Sequence, residues 1–99
     1  MTIKEYELVA NWWKNEAPQR LAAKVKPYLK AGMIVLDAGA GTGLLAEQLT
    51  GLDLIIDGID NSPDILKQAR KKEIYRHLNV GDLRLVLPLS HQYDAIVSA

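Results

Sequence analysis

Three glycines alternate with small residues in the segment 35–43, which reads VLDAGAGTG. Glycine allows a tight turn and leaves no Cβ atom between the backbone and an approaching ligand. The glycines follow the apolar run Met33–Asp37 and precede a helical pattern, so the free N–H groups of a helix N-terminus lie directly behind them. A strand, a glycine loop and a helix in this order are typical of a site that holds a nucleotide or a nucleotide-containing cofactor.

Two acidic residues accompany the loop. Asp60 ends the next predicted strand, 17 residues after Gly43, where a carboxylate can accept hydrogen bonds from ribose hydroxyls. The dinucleotide pattern G-x-G-x-x-G/A fits only at Gly41, Gly43 and Ala46, later than the usual junction, and it gives Asp37 no role. An acid at Asp37 suits a ligand with a positive charge, or a carboxylate that orders the amides of the loop.

The elements that must position these residues alternate between strands and helices. Strands are predicted at Met33–Asp37, Leu54–Asp60, His77–Val80 and Tyr93–Ala99. Helices are predicted at Tyr6–Asn15, from Gln19 to a kink or end at Pro27, at Leu44–Leu52, and from an N-cap at Ser62 to about Lys72. Such alternation predicts an α/β fold in which right-handed crossovers join the strands of a parallel sheet, with helices on both faces.

Composition excludes several classes of protein. The 99 residues suffice for one small domain, and 12 basic residues balance 12 acidic ones, which argues against a nucleic-acid partner. The absence of cysteine excludes a disulfide scaffold and a cysteine nucleophile. No apolar run approaches the roughly 20 residues that span a bilayer, and neither His77 nor His91 has a partner at metal-ligand spacing. We expect a cytoplasmic protein with no metal and no membrane partner.

Four segments resemble the motifs of class I S-adenosylmethionine-dependent methyltransferases, in the order of that family. VLDAGAGTG is similar to the first motif, GIDNSPDIL to the second, VGDL to the third and YDAIVSA to the fourth strand. The resemblance covers residues 33–99. Within it, the sequence around IYRHLNVGDLRLVLP resembles more narrowly the methyltransferase-like group of the Williams–Beuren syndrome region. It implies a Rossmann-like sheet with strand order 3-2-1-4, and S-adenosylmethionine as the cofactor.

The resemblance also implies roles for individual residues. Eight positions would bind the cofactor: Asp37, Gly39, Ala40, Gly41, Asp60, Asn61, Asp82 and Leu83. Asp60 would hold the ribose hydroxyls, and Asp82 would accept from the adenine amino group. Ser98 and Ala99 would approach the site of methyl transfer, and Trp12 and Trp13 are either a lid over the cofactor or part of the core. No residue is selected as the catalytic base.

The family fold has seven strands, and this sequence contains the elements for four. We therefore expect N-terminal helices over residues 1–32 and a cofactor-binding half domain over residues 33–99, forming one structural unit that is incomplete relative to the family fold. Either the chain is part of a longer methyltransferase, or it self-associates through its fourth strand, which would be an exposed edge.

Three functions remain open at this point. The first is methyl transfer from S-adenosylmethionine, with a small molecule as the expected acceptor. The second is a non-catalytic module that binds S-adenosylmethionine or a partner, because no acceptor site is visible in the sequence. The third is a nicotinamide-dependent oxidoreductase domain.

Overall fold

A four-stranded parallel sheet forms the centre of the structure, a computed structural model that describes residues 18–82 and 92–97. Its strands are β1 (Ile34–Ala38), β2 (Ile55–Asp60), β3 (His77–Val80) and β4 (Ala95–Val97). The strand order is β3-β2-β1-β4, and every neighbouring pair is parallel. This order confirms the predicted 3-2-1-4 arrangement.

The helices of the described residues precede and connect the strands. They are α1 (Pro18–Val25), continued by a 3-10 turn over Lys26–Tyr28, then α2 (Leu44–Gln48) and α3 (Pro63–Lys71). Pro27 ends the α-helical part of the first one as predicted, because proline cannot donate the next backbone hydrogen bond. The helix predicted over Leu44–Leu52 is shorter than expected, since the Leu49 amide bonds back to Ala46 and Gly51 has a φ of 89°.

All three helices pack on the same face of the sheet. Leu21 and Val25 of α1 and Leu45 of α2 share a core cluster with Val35 and Ile56. Helix α3 packs through Leu66 and Ala69 against Leu78 of β3. Leu78 is in register with Gly58, and Gly58 is in register with Asp37. Because side chains alternate between the two faces, Leu78 lies on the same face as Val35 and Ile56. Successive right-handed crossovers in one direction along a sheet require this arrangement.

The opposite face of the sheet has its own apolar cluster. Leu36, Ala38 and Ile96 are buried there, with Ile59 and Tyr93 packed against them. Since all the described helices lie on the first face, a helix on this second face stays a prediction. The helix predicted over residues 6–15, with Trp12 and Trp13, lies outside the described residues, as do Leu83, Ser98 and Ala99.

Candidate cofactor-binding site

The glycine loop joins the carboxyl end of β1 to helix α2. Gly39, Gly41 and Gly43 have φ values of 73°, 58° and 91°, in the left-handed region that side chains rarely adopt. A Cβ atom at Gly43 would also lie 3.4 Å from the ring and hydroxyl of Tyr75. The glycine pattern is therefore a backbone requirement of the turn.

The carboxyl end of β2 holds this loop in place. The amides of Gly39 and Ala40 donate to the Ile59 carbonyl at 2.8 and 2.9 Å. Asp60 accepts from the Gly41 amide through Oδ2 and from the Ser62 amide through Oδ1, each at 3.0 Å. One side chain thus joins the glycine loop to the start of α3, whose N-cap is Ser62, as predicted.

One of the two roles predicted for Asp37 was to order the amides of the loop, and the structure does not show it in that role. Its carboxyl is 2% exposed, and Oδ2 accepts a 2.7 Å hydrogen bond from the Tyr75 hydroxyl. Within the described part of the chain, Oδ1 is buried without a hydrogen-bond partner. Burial raises the pKa of Asp37 to about 6, the Tyr75 hydrogen bond lowers it, and the charge of Asp60 raises it.

Four of the predicted residues line one cavity above the loop. The cavity measures about 220 Å³ and is lined by Gly39, Asp60, Asn61, Gly81 and Asp82. Gly81 was not singled out by the sequence, but a Cβ atom there would lie 2.9 Å from the Ile59 side chain. Ligand pockets measure roughly 300–1,000 Å³, so this cavity is smaller than a typical complete ligand site.

Three other predicted residues belong to β1 or to the glycine loop that follows it: Asp37, Ala40 and Gly41. Gly41 adjoins the cavity through its bond to Asp60, while Ala40 is buried below the loop against Leu66 and Ala69 of α3. Asp37 is also buried below the loop, and Leu83 lies outside the described residues. Tyr75 is the residue that sequence reasoning missed, because nothing in the local pattern pairs it with an aspartate 38 positions earlier.

A second polar cluster surrounds Asp57 of β2, which is in register with His77 at the start of β3. Asp57 accepts from Nε and an Nη of Arg76 at 3.0 and 2.8 Å, from the His77 amide at 3.2 Å and from the Tyr93 hydroxyl at 2.9 Å. Burial would raise the pKa of Asp57, but the hydrogen bonds from Arg76 and Tyr93 and the charge of Arg76 hold it below its usual value.

A cavity of about 340 Å³ lies beside this cluster and shares no lining residue with the first one. It is lined by Arg70, Glu73, Tyr75, Arg76, His77, Leu78 and Asn79. Although it is larger, it lacks a glycine loop and a helix N-terminus, and the Arg76 guanidinium on its wall is already paired with Asp57. The smaller cavity is therefore the better candidate for the cofactor site. No group of three or more metal-ligating side chains occurs among the described residues.

The fold and the glycine loop define the class of this protein, a Rossmann-like α/β domain with a glycine loop at the carboxyl end of β1, next to the end of β2. The family model for the methyltransferase domain matches residues 35–99, and the chain belongs to that family. This match confirms the predicted membership among S-adenosylmethionine-dependent methyltransferases.

Curated relatives carry a more specific name. The ubiquinone biosynthesis O-methyltransferase of Xanthomonas campestris is 32% identical, over 95% of this chain and 46% of the relative. The enzyme of the same name from Glaesserella parasuis is also 32% identical, over 79% of this chain and 38% of the relative. The chain thus spans less than half the length of these two relatives.

Solved structures support the fold. A TehB-like S-adenosylmethionine-dependent methyltransferase from Corynebacterium glutamicum matches 97% of this chain and 51% of its own, with a TM-score of 0.61 and 24% identity. At that identity the likeness concerns the fold alone. None of the helices in the described segments has the length and apolar content needed to cross a lipid bilayer.

The observed residues fit S-adenosylmethionine, the cofactor of this family. The glycine loop leaves space where Cβ atoms would stand, and two acids, Asp60 and Asp82, line the adjoining cavity. Asp60 uses one acceptor position on each oxygen for a backbone amide. A carboxylate oxygen has a second such position, so Asp60 retains the capacity to accept hydroxyl groups.

Proposed function

We propose that this chain is the cofactor-binding part of a methyltransferase that acts on a hydroxyl group of a small molecule. The observation that carries the proposal is the position of Asp60, which holds the glycine loop, opens α3 and lines the cavity at the same time. The small-molecule acceptor is supported by the two relatives named as O-methyltransferases of ubiquinone biosynthesis.

Five residues in or beside the cavity have a proposed task. Asp60 binds the ribose hydroxyls, Asn61 lies at the adenine edge, and Asp82 accepts from the adenine amino group. Gly39 and Gly41 let the backbone approach the methionine and ribose portions of the cofactor. When bound, S-adenosylmethionine supplies an electrophilic sulfonium methyl group, so the protein mainly orients an acceptor towards it and excludes water.

Calorimetric titration tests this proposal against its two alternatives. We expect the chain to bind S-adenosylhomocysteine and not NAD. Replacing Asp60 with Asn keeps the shape of the side chain but removes its charge, and we expect about a tenfold or greater loss of affinity. The control is Asp64→Asn, because Asp64 is exposed on α3 and pairs only loosely with Lys67 at 3.6 Å.

Three results would contradict the proposal. Binding of NAD without binding of S-adenosylhomocysteine would favour the oxidoreductase alternative. An unchanged affinity of the Asp60 variant, with an intact melting transition, would remove Asp60 from the site. Cofactor binding without methyl transfer to any small-molecule hydroxyl acceptor, in a chain that includes the acceptor-binding elements, would favour the non-catalytic alternative.

Self-association through β4 remains a second, structural proposal. Among the described strands β4 has a single neighbour, β1, with which Ala95, Ile96 and Val97 are in register. An apolar strand with one free edge favours pairing with another strand. The cytoplasmic location expected from the cysteine-free sequence stays a prediction.

A further inference from the structure

Asp37 is an exception to the rule that buried polar atoms are paired. Its side chain is almost fully buried, yet within the described residues only Oδ2 has a partner and Oδ1 has none. A buried carboxylate oxygen without a donor is costly. Asp37 lies two positions before Gly39 and interacts through its charge with Asp60, and both Gly39 and Asp60 line the proposed cofactor cavity.

Tyr75 fixes the position of this carboxyl group. Its hydroxyl donates to Oδ2 at 2.7 Å, and its ring occupies space that two glycines leave open. A Cβ atom at Gly58 would lie 2.8 Å from the ring, and one at Gly43 would lie 3.4 Å from it. Gly58 is inside β2 and has no positive φ, so the close approach of a neighbouring side chain is the reason for glycine there.

We propose that Tyr75 is a positioning residue, which holds the buried Asp37 carboxylate so that the site favours the positively charged S-adenosylmethionine over the uncharged thioether of S-adenosylhomocysteine. This inference rests on the proposed function. The two ligands share adenosine, carboxylate and ammonium groups and differ in the sulfonium methyl. A buried negative charge therefore distinguishes them by one positive charge, in surroundings where water screens it poorly.

The ionisation of the Asp37 carboxyl makes the preference for S-adenosylmethionine over S-adenosylhomocysteine dependent on pH. Because the pKa of Asp37 is raised to about 6, the carboxyl is largely neutral below that value and largely ionised above it. A bound cation favours the ionised form, so binding of S-adenosylmethionine releases a proton near pH 6. The Tyr75 hydrogen bond favours ionisation, and its removal should move the transition to higher pH.

Among the described residues, Asp37 has few titratable neighbours. Asp60 at the end of β2 interacts with it through its charge. Helix α2 contributes Glu47, and the residue after α3 contributes Lys72, but these two are paired with each other at 2.8 Å. On the adjacent strands its neighbours in register are Gly58 and Val97, which do not titrate.

The experiment is calorimetric titration of both ligands from about pH 5 to about pH 8, in two buffers that differ in ionisation enthalpy, so that proton release is measured. For the wild-type chain we expect the preference for S-adenosylmethionine to increase at least about threefold across this range. Tyr75→Phe should shift the midpoint of that increase upward by about one pH unit. Asp37→Asn should abolish both the increase and the proton release.

Tyr93→Phe is the matched control, because Tyr93 also donates to a buried carboxylate but at Asp57, and it should leave the profile unchanged. A wild-type ratio of affinities that is the same at all pH values would overturn the inference, and so would a Tyr75→Phe midpoint equal to that of wild type. If Tyr75→Phe does not fold, the Asp37→Asn profile decides. Absence of binding by both ligands would instead contradict the proposed function itself.

Discussion

Two buried aspartates on neighbouring strands have opposite surroundings. Asp37 of β1 is 2% exposed and Asp57 of β2 is 3% exposed. Asp57 accepts four hydrogen bonds from Arg76, His77 and Tyr93, whereas Asp37 accepts one, from Tyr75. Although their exposed fractions are similar, Asp57 has a lowered pKa, whereas Asp37, which lies deeper in the protein and has fewer donors, has a raised pKa.

This difference separates a stabilising cluster from a functional one. The Asp57 cluster ties β2, β3 and the segment before β4 together, and its charge is satisfied. Asp37 keeps one unsatisfied oxygen beside the glycine loop, which costs stability in the free protein. Proteins tolerate such costs mainly where a ligand will compensate them.

The same substitution at the two positions should have opposite effects, and the larger one is at Asp57. Asp57→Asn puts an amide N–H group opposite the donors of Arg76, and we expect the free energy of unfolding to fall by about 3 kcal/mol. Urea denaturation at about pH 7 measures this loss. A denaturation midpoint equal to that of wild type would show that the cluster contributes nothing to the fold.

Asp37→Asn should stabilise the chain at neutral pH, by a smaller amount. Because the pKa is raised from 3.8 to about 6, the folded state binds the proton more tightly, and wild-type stability falls as pH rises through this window. The shift corresponds to about 3 kcal/mol, and unpaired amide hydrogens offset part of it, so we expect a gain of about 1–2 kcal/mol. Thermal unfolding should show the gain at about pH 7 and little of it near pH 4; a loss at pH 7 would contradict this account.

Much of the fold follows from local patterns. The apolar run before the glycines predicted β1 to within one residue, and the Ser62-Pro63 pair predicted the start of α3, because strand burial and helix capping depend on residues close in sequence. The strand order came from the family resemblance, since local patterns do not specify which strands pair. Helix α2 was predicted too long because Leu49 and Leu52 suggested continued helical spacing, while Gly51 with its positive φ lies between them.

The site was predicted less completely than the fold. The glycines and Asp60 were found because their types and spacing carry chemistry. The bonds from Asp60 to the amides of Gly41 and Ser62 could not be foreseen, nor could the pairing of Asp37 with Tyr75, because they depend on the register of distant segments. An acid inside the apolar run LIIDGID is a signal that could have indicated a buried partner for Asp57, but nothing local identifies Arg76 or Tyr93 as that partner.

The central claim is that the cofactor binds at the carboxyl ends of β1 and β2 and not at the Asp57 cluster. Two-dimensional ¹⁵N–¹H spectra of the chain, recorded during titration with S-adenosylhomocysteine, test it most directly. We predict that the amide signals of Gly39, Gly41, Asn61 and Gly81 move, while those of Arg76 and His77 stay in place. Movement confined to Arg76 and His77 would place the ligand in the cavity beside β3 and contradict the account.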